Sequence, residues 1–295
     1  MAENYFDERI AATYEAKWPE LFEPAAIDPA VSFLADLARS GTALELGIGT
    51  GRLALPLSRR GIRVHGIELS PAMAARLRVQ PDADGIGVTI GDFATATVGA
   101  TFGLAYLVRN TIMNLTTQDA QVECFGNSAR HLEPGGCFVI EVIVPELQRL
   151  PPGETVRAFT VTPRHLGFDE YDIATQGVIS HHYWVDGGEL ETFSAPFRYV
   201  WPSELDLMAR LAGMTLRERW SDWNREVLGT PTATSAPVSA TSTTPRPPGV
   251  RFRLAPPAPA AQASTIPHQG TWAPAALMLN ARSVLREPKR PARDA

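Results

Sequence analysis

A chain of 295 residues, 44% hydrophobic and 20% charged, can bury one or two ordinary cores and reads as a soluble globular protein. Its formal charge of −5 gives no general attraction for nucleic acid or an anionic membrane, so neither is expected as a partner and a small-molecule substrate is. Cys124 and Cys137 are too few and too far apart for a zinc ligand set, and the start MAENYFDERI has no apolar signal core. The expectation is a cytoplasmic protein without a metal, its two thiols buried as packing.

In chain order, Phe6, Ile10, Tyr14 and Trp18 recur every four residues, one stripe of an amphipathic helix. Asp28-Pro29, a capping residue followed by proline, predicts the start of a second helix carrying Val31, Phe33, Leu34 and Leu37. Thr42–Gly47 reads as a buried strand, Leu53 to Arg60 as a helix ended by Gly61, and Val64–Leu69 as a strand. Ser70-Pro71 caps the next helix; Gly87–Ile90 and Phe102–Val108 follow as strands. Thr117 caps a helix through His131, and Glu133 to Gly136 turn into the strand Cys137–Val144. Short apolar strands alternating with helices predict a parallel sheet covered on both faces.

After Pro145 the pattern changes. Val156–Thr162, Gly177–Val185 and Leu190–Val200 look like antiparallel strands, the last two joined at Asp186-Gly187-Gly188. They form a lid, residues 146–198, inserted after the fifth strand. A helix from Pro202 to Leu211 and a sixth strand, Thr215–Trp220, return the chain to the core, which therefore comprises 1–145 and 199–226. Of 25 prolines 12 follow Glu226, and residues 227–295 read as a largely disordered tail in which Pro274–Arg286 could hold a short helix.

The stretch ALELGIGTGR at 43–52 puts Gly47, Gly49 and Gly51 at a strand-to-helix turn, where backbone without Cβ can approach a ligand and a helix N-terminus offers free N–H groups. Arg52 stands where a dinucleotide fingerprint would place its third glycine, and Gly51 comes one residue early. Glu68, ending the second strand, can accept from both ribose hydroxyls of a nucleoside. In IGDFA, Asp92 can accept from an adenine amine while the Phe93 N–H reaches a ring nitrogen. Glu45, Glu68 and Asp92 thus line the C-terminal edge of the sheet, a row that repels a diphosphate and suits a sulfonium carrying an ammonium.

Together Glu45–Gly51, Glu68, Gly91-Asp92 and HLEPGGCFVIEV at 131–142 resemble the class I S-adenosylmethionine-dependent methyltransferases, bacterial small-molecule type, over roughly residues 3–225. The resemblance implies an α/β, Rossmann-like, doubly wound and mostly parallel sheet with an antiparallel lid after strand five. It implies S-adenosyl-L-methionine as cofactor, with Glu45 and Gly47 near its methionine end, Glu68 and Leu69 at the ribose, and Asp92 and Phe93 at the adenine. Gly49 and Gly51 complete the turn, while Tyr14 and Arg109 close over the cofactor. It also implies a seventh, antiparallel strand between the fifth and sixth, which the Pro- and Thr-rich run after WSDWNRE at 220–226 does not supply; the expectation is that this strand is missing unless Thr271–Asn280 fills the gap.

Methyl transfer is an in-line displacement that needs alignment and a dry site, with a general base optional. VRNTIMN follows the fourth strand, whose end faces the methyl in this fold, so Arg109, Asn110 and Asn114 are the substrate-side candidates. In SHHYW, at 180–184, alternation along a strand lets at most one of His181 and His182 face the pocket. Glu141 and His131 read as structural. A small-molecule methyl acceptor is expected, an amine slightly ahead of a hydroxyl, and a homodimer is possible. Two other readings stand beside this one: a nicotinamide-dependent oxidoreductase, and a catalytically silent S-adenosylmethionine-binding protein.

Overall fold

The computed structural model describes residues 3–38, 41–226 and 249–255. Helix α1, Glu8–Lys17, starts where the Asp7 side chain accepts the Ile10 N–H at 2.9 Å. Its apolar stripe buries Ile10 and carries Tyr14 to a ring distance of 4.9 Å from Trp18. Helix α2, Pro24–Leu37, begins one turn before the expected Asp28-Pro29 start. Pro24 takes the first-turn position, and the N–H groups of Ala26 and Ile27 close on the Glu23 carbonyl, so Pro29 lies inside the helix and gives up one bond.

The strands and helices of the core then alternate as expected: β1 Thr42–Leu46, α3 Ala54–Arg59, β2 Arg63–Glu68, α4 Pro71–Arg78, β3 Gly87–Ile90, β4 Phe102–Leu107, α5 Gln118–Arg130 and β5 Leu132–Ile143. Ser70 caps α4 by accepting the Met73 N–H, and Thr117 caps α5 by accepting that of Ala120, both at 3.2 Å. Cys124 and Cys137 are buried within the core, and burial pushes the Cys124 thiol up.

Four antiparallel strands form the inserted sheet: β6 Val156–Val161, β7 His165–Asp172, β8 Gly177–Asp186 and β9 Glu189–Arg198. Three were expected. The strand β7 is hidden in the sequence because HLGFDEYD carries acids at 169, 170 and 172, which are uncommon in strands. Arg198, at the end of β9, ties this sheet to the core. Its guanidinium donates to Gln121 on α5, to Gln176, and to Glu204 at 2.7 Å on helix α6, Pro202–Leu211.

The main sheet has the order β3-β2-β1-β4-β5-β11-β10, where β10 is Thr215–Trp220 and β11 is Gly249–Ala255. The pairs among β1 to β5 are parallel, and β11 runs antiparallel to both its neighbours. Two apolar layers cover it, one with Phe33, Leu34, Leu57 and Trp220, the other with Phe125, Leu205 and Met208.

The expected gap at the seventh strand is therefore corrected: Gly249–Ala255, which lies within the stretch expected to be a disordered tail, pairs Gly249 to Leu254 with β5 and Arg251 to Ala255 with β10. Prolines flank it on both sides, but GVRFRLA itself contains none and can donate to both ladders. Thr271–Asn280 and Pro274–Arg286 lie outside the described residues.

Candidate active site

The turn after β1 is built by backbone that side chains do not tolerate. Gly47, Gly49 and Gly51 have φ of +73°, +58° and +87°, in the left-handed region. A Cβ on Gly47 would stand 2.6 Å from Thr111 Cγ2, and one on Gly51 would strike Leu77. Gly47→Ala is accordingly expected to displace the turn and weaken cofactor binding at least tenfold, measured by titration with S-adenosylhomocysteine; unchanged affinity would count against the turn as a cradle.

The Glu68 carboxylate fastens this turn to the next. It accepts the Gly49 N–H and the Ser70 N–H, each at 2.8 Å, and is 8% exposed. Burial raises its carboxyl above the usual range, and the N–H groups of Ser70, Gly49 and Leu69 pull the other way. A carboxylate has about four lone-pair sites, so Glu68 keeps capacity for hydroxyl donors. Leu69, half-buried, links Glu68 to the cap of α4. Glu45, one strand over, accepts the Tyr106 hydroxyl at 2.9 Å and is driven up to about 8 by burial.

At the end of β3, Asp92 accepts the Ala94 N–H at 2.8 Å through one oxygen. Phe93 is buried, and Asn127 on α5 donates to its carbonyl at 2.9 Å. Asn127 was not foreseen, because only the fold brings α5 under this turn.

Beyond β4, Arg109 and Asn110 both have φ of +61°. The Arg109 N–H donates to Glu141 at 2.9 Å, the structural role expected of that acid. Its guanidinium is buried near Tyr14, Arg52 and Glu20, and Nη1 has no partner among the described residues. Asn110 turns its side chain toward β5, where Oδ1 accepts the Ile143 N–H. Asn114 donates to the Thr111 carbonyl at 2.9 Å, closing the same turn. His131 is structural: its Nε2 accepts the Val98 N–H and its Nδ1 donates to the Asn127 carbonyl.

The two candidate histidines part as strand geometry requires. His182 shares its face of β8 with Trp184, and both pack edge-on against Trp18, at ring distances of 6.0 and 5.8 Å. His181 points to the opposite face with Ile179 and Val185, stacks on Phe168 and meets Ser194 Oγ at 2.9 Å. The structure thus places His182 beside α1 and His181 on the opposite face of the inserted sheet. His165 meets His182, with Glu20 acting on it, and spacing along the chain gave no signal for either.

These elements gather at the C-terminal edge of the α/β sheet, where open α/β folds bind ligands, with α1 and the antiparallel sheet beside them. The methyltransferase-domain family model matches residues 43–136. The CcbJ methyltransferase from Streptomyces caelestis is 30% identical, over 86% of this chain and 99% of its own, with a TM-score of 0.72. The amino pentose methyltransferase CalS10 from Micromonospora echinaspora, solved with S-adenosylmethionine bound, is 20% identical over 76% of this chain and 89% of its own, TM-score 0.55. The sugar N-methyltransferase KedS8 from a Streptoalloteichus species is 16% identical over 75% and 85%, TM-score 0.52. Among curated proteins none matches the sequence. The chain belongs to the S-adenosylmethionine-dependent methyltransferases of the bacterial small-molecule type, and S-adenosylmethionine is its cofactor. The oxidoreductase reading falls with that membership. Among the described residues no helix is long and apolar enough to cross a membrane.

The residues present fit that cofactor. Gly47 and Gly51 leave no room for a Cβ, Thr50 Oγ1 within the turn and Arg109 Nη1 are buried without a partner among the described residues, and Glu45, Glu68 and Asp92 stand on or just past the ends of three neighbouring strands.

Proposed function

We propose that this enzyme methylates an amine nitrogen of a small molecule by in-line transfer, and that it relies mainly on alignment. The observation that carries the cofactor half is the carboxylate row above the glycine turn. When bound, S-adenosylmethionine supplies an electrophilic methyl group on a sulfonium. Glu68 holds the ribose with its free lone pairs, aided by Leu69. Asp92 and Phe93 hold the adenine, and Gly47, Gly49 and Gly51 let the backbone approach. Glu45 takes the methionine ammonium, Arg109 offers Nη1 to the carboxylate, and Tyr14 closes the site from α1. Asn110 holds the loop against β5, which fixes the wall on the methyl side.

An amine is favoured because a nitrogen acceptor needs only to lose a proton, and two proteins of the same fold are named for acting on amino sugars or on a sugar nitrogen. The test is transfer of a labelled methyl to a panel of cyclic secondary amines, amino sugars and phenols. Product from amines alone is expected; phenol ethers alone, or binding without turnover, would overturn the reading.

The state of Glu45 gives this site a pH dependence. With its carboxyl at about 8, Glu45 is largely protonated at pH 7 in the free protein and must lose that proton to face an ammonium. Affinity for S-adenosylhomocysteine is expected to rise with pH and level off above about 8, with up to one proton released on binding at pH 7. Calorimetry in buffers of different ionisation enthalpy measures the release, and Glu45→Gln should abolish it. A release that persists in that variant contradicts the assignment.

A further inference from the structure

We propose that His165 and His182 form one proton-accepting pair on the acceptor side of the site, with His165 the member that takes the proton from the acceptor nitrogen. This rests on the amine reading above. The two rings lie on the inner face of the inserted sheet, with His165 Nε2 3.0 Å from His182 Nδ1 and the planes 14° apart. Trp184 stacks on both, at 4.9 and 5.0 Å, while Phe159 and Trp18 close the sides.

The chain of hydrogen bonds beyond His182 gives the pair a direction. His182 Nε2 is 3.4 Å from Ser180 Oγ, and Ser180 bonds to Asp169, which also accepts the Tyr171 hydroxyl at 3.2 Å. A carboxylate only accepts, so Ser180 donates to it and its oxygen receives the His182 Nε2–H. His182 Nδ1 is then the acceptor, and His165 must donate from Nε2. The lone pair of His165 is therefore left on Nδ1, the nitrogen not used within the pair.

The charges around the pair come from several elements. Lys17 on α1 lies 4.3 Å from the Trp184 ring and is paired with Glu191 on β9. Glu20, on the turn Pro19–Leu21, acts on His165, and also on Tyr14 and Arg109. His181, beside His182 in the strand, adds to the repulsion. Burial first, then the neighbouring His165, His181 and Lys17, brings His182 down to about 4, and burial also lowers His165. Both rings are neutral at pH 7 and able to accept.

In the step proposed, a proton leaves the acceptor ammonium for His165 Nδ1, and the nitrogen lone pair it exposes forms the N–C bond as the methyl–sulfur bond breaks with its electrons left on sulfur. His165 later returns the proton to water. Asp169, Ser180 and His182 are positioning residues.

The pair is tested by long-range nitrogen–proton NMR of 15N-histidine-labelled protein loaded with S-adenosylhomocysteine. The expected result at pH 7 is that both His165 and His182 carry the proton on Nε2. Asp169→Asn, whose amide can donate to Ser180, is expected to reverse the chain and move the His165 proton to Nδ1; Ser180→Ala is expected to free the His182 tautomer. His165 protonated at Nδ1 in the unaltered protein overturns the proposal. With an amine that the enzyme methylates, His165→Gln should lower the rate about a hundredfold at pH 7 and recover above pH 9, where the amine loses its proton unaided. A loss that stays constant with pH also overturns it. Turnover of oxygen acceptors alone would instead strike the amine reading, since the tautomers are measured without an acceptor.

Discussion

A chain ended after Glu226 is expected to lose its cooperative fold, because the truncation removes β11 from between β5 and β10. Six residue pairs with β5 and five with β10 go with it, and both strands are left with unpaired backbone. A ladder hydrogen bond contributes on the order of 1 kcal/mol net, and a typical domain is stable by only about 5–15 kcal/mol. The loss is thus comparable with the whole margin. This reverses what the composition of the tail alone suggests, namely that the chain could be trimmed after Glu226 without harm to the cofactor site. Phe252→Pro is the narrower variant: it deletes one backbone donor in mid-strand, opposite Ile140 and Arg219. Thermal melts followed by circular dichroism should show the truncated chain unfolded or strongly destabilised and the proline variant lowered by several degrees. A truncated chain that melts like the full one would show that β11 contributes nothing.

The second large effect is expected at Glu68. Its carboxylate is the acceptor for two backbone donors in the loops that form the cofactor turn, so Glu68→Ala removes both at once. Each buried donor left without a partner costs about 1–3 kcal/mol, and the same substitution removes the acceptor for the ribose. The variant should lose stability and also bind S-adenosylhomocysteine at least tenfold more weakly. Glu68→Gln retains one carbonyl acceptor and should fall between the two. Equal affinity in all three proteins would remove Glu68 from the site.

Much of this was legible in the residues. The glycines of 47–51 and the acids at 45, 68 and 92 are local signals, because a strand end, a turn and a helix cap are each specified within a few residues. Ser70 and Thr117 announced their helices in the same way. Strand β11 is different. Val250, Phe252 and Leu254 alternate with Arg251 and Arg253, a strand pattern, but only five residues long and set among prolines. Its place between β5 and β10 is a long-range pairing that composition cannot show. The same holds for His165. Its strand is disguised by acids, and its partner is 17 residues away across a hairpin, so only the register of β7 against β8 brings the rings together. His181 and His182, by contrast, were separable by alternation, and only the direction in which the lid faces was missing.

The most direct test of the central claim, that the turn after β1 and the acids on three strands form an S-adenosylmethionine site, is calorimetric titration of the full chain with S-adenosylhomocysteine and, separately, with NAD. Saturable one-to-one binding of S-adenosylhomocysteine, lost in Glu68→Ala, with no heat from NAD, is the predicted result. Tight binding of NAD, or S-adenosylhomocysteine binding that is indifferent to Glu68, would contradict it.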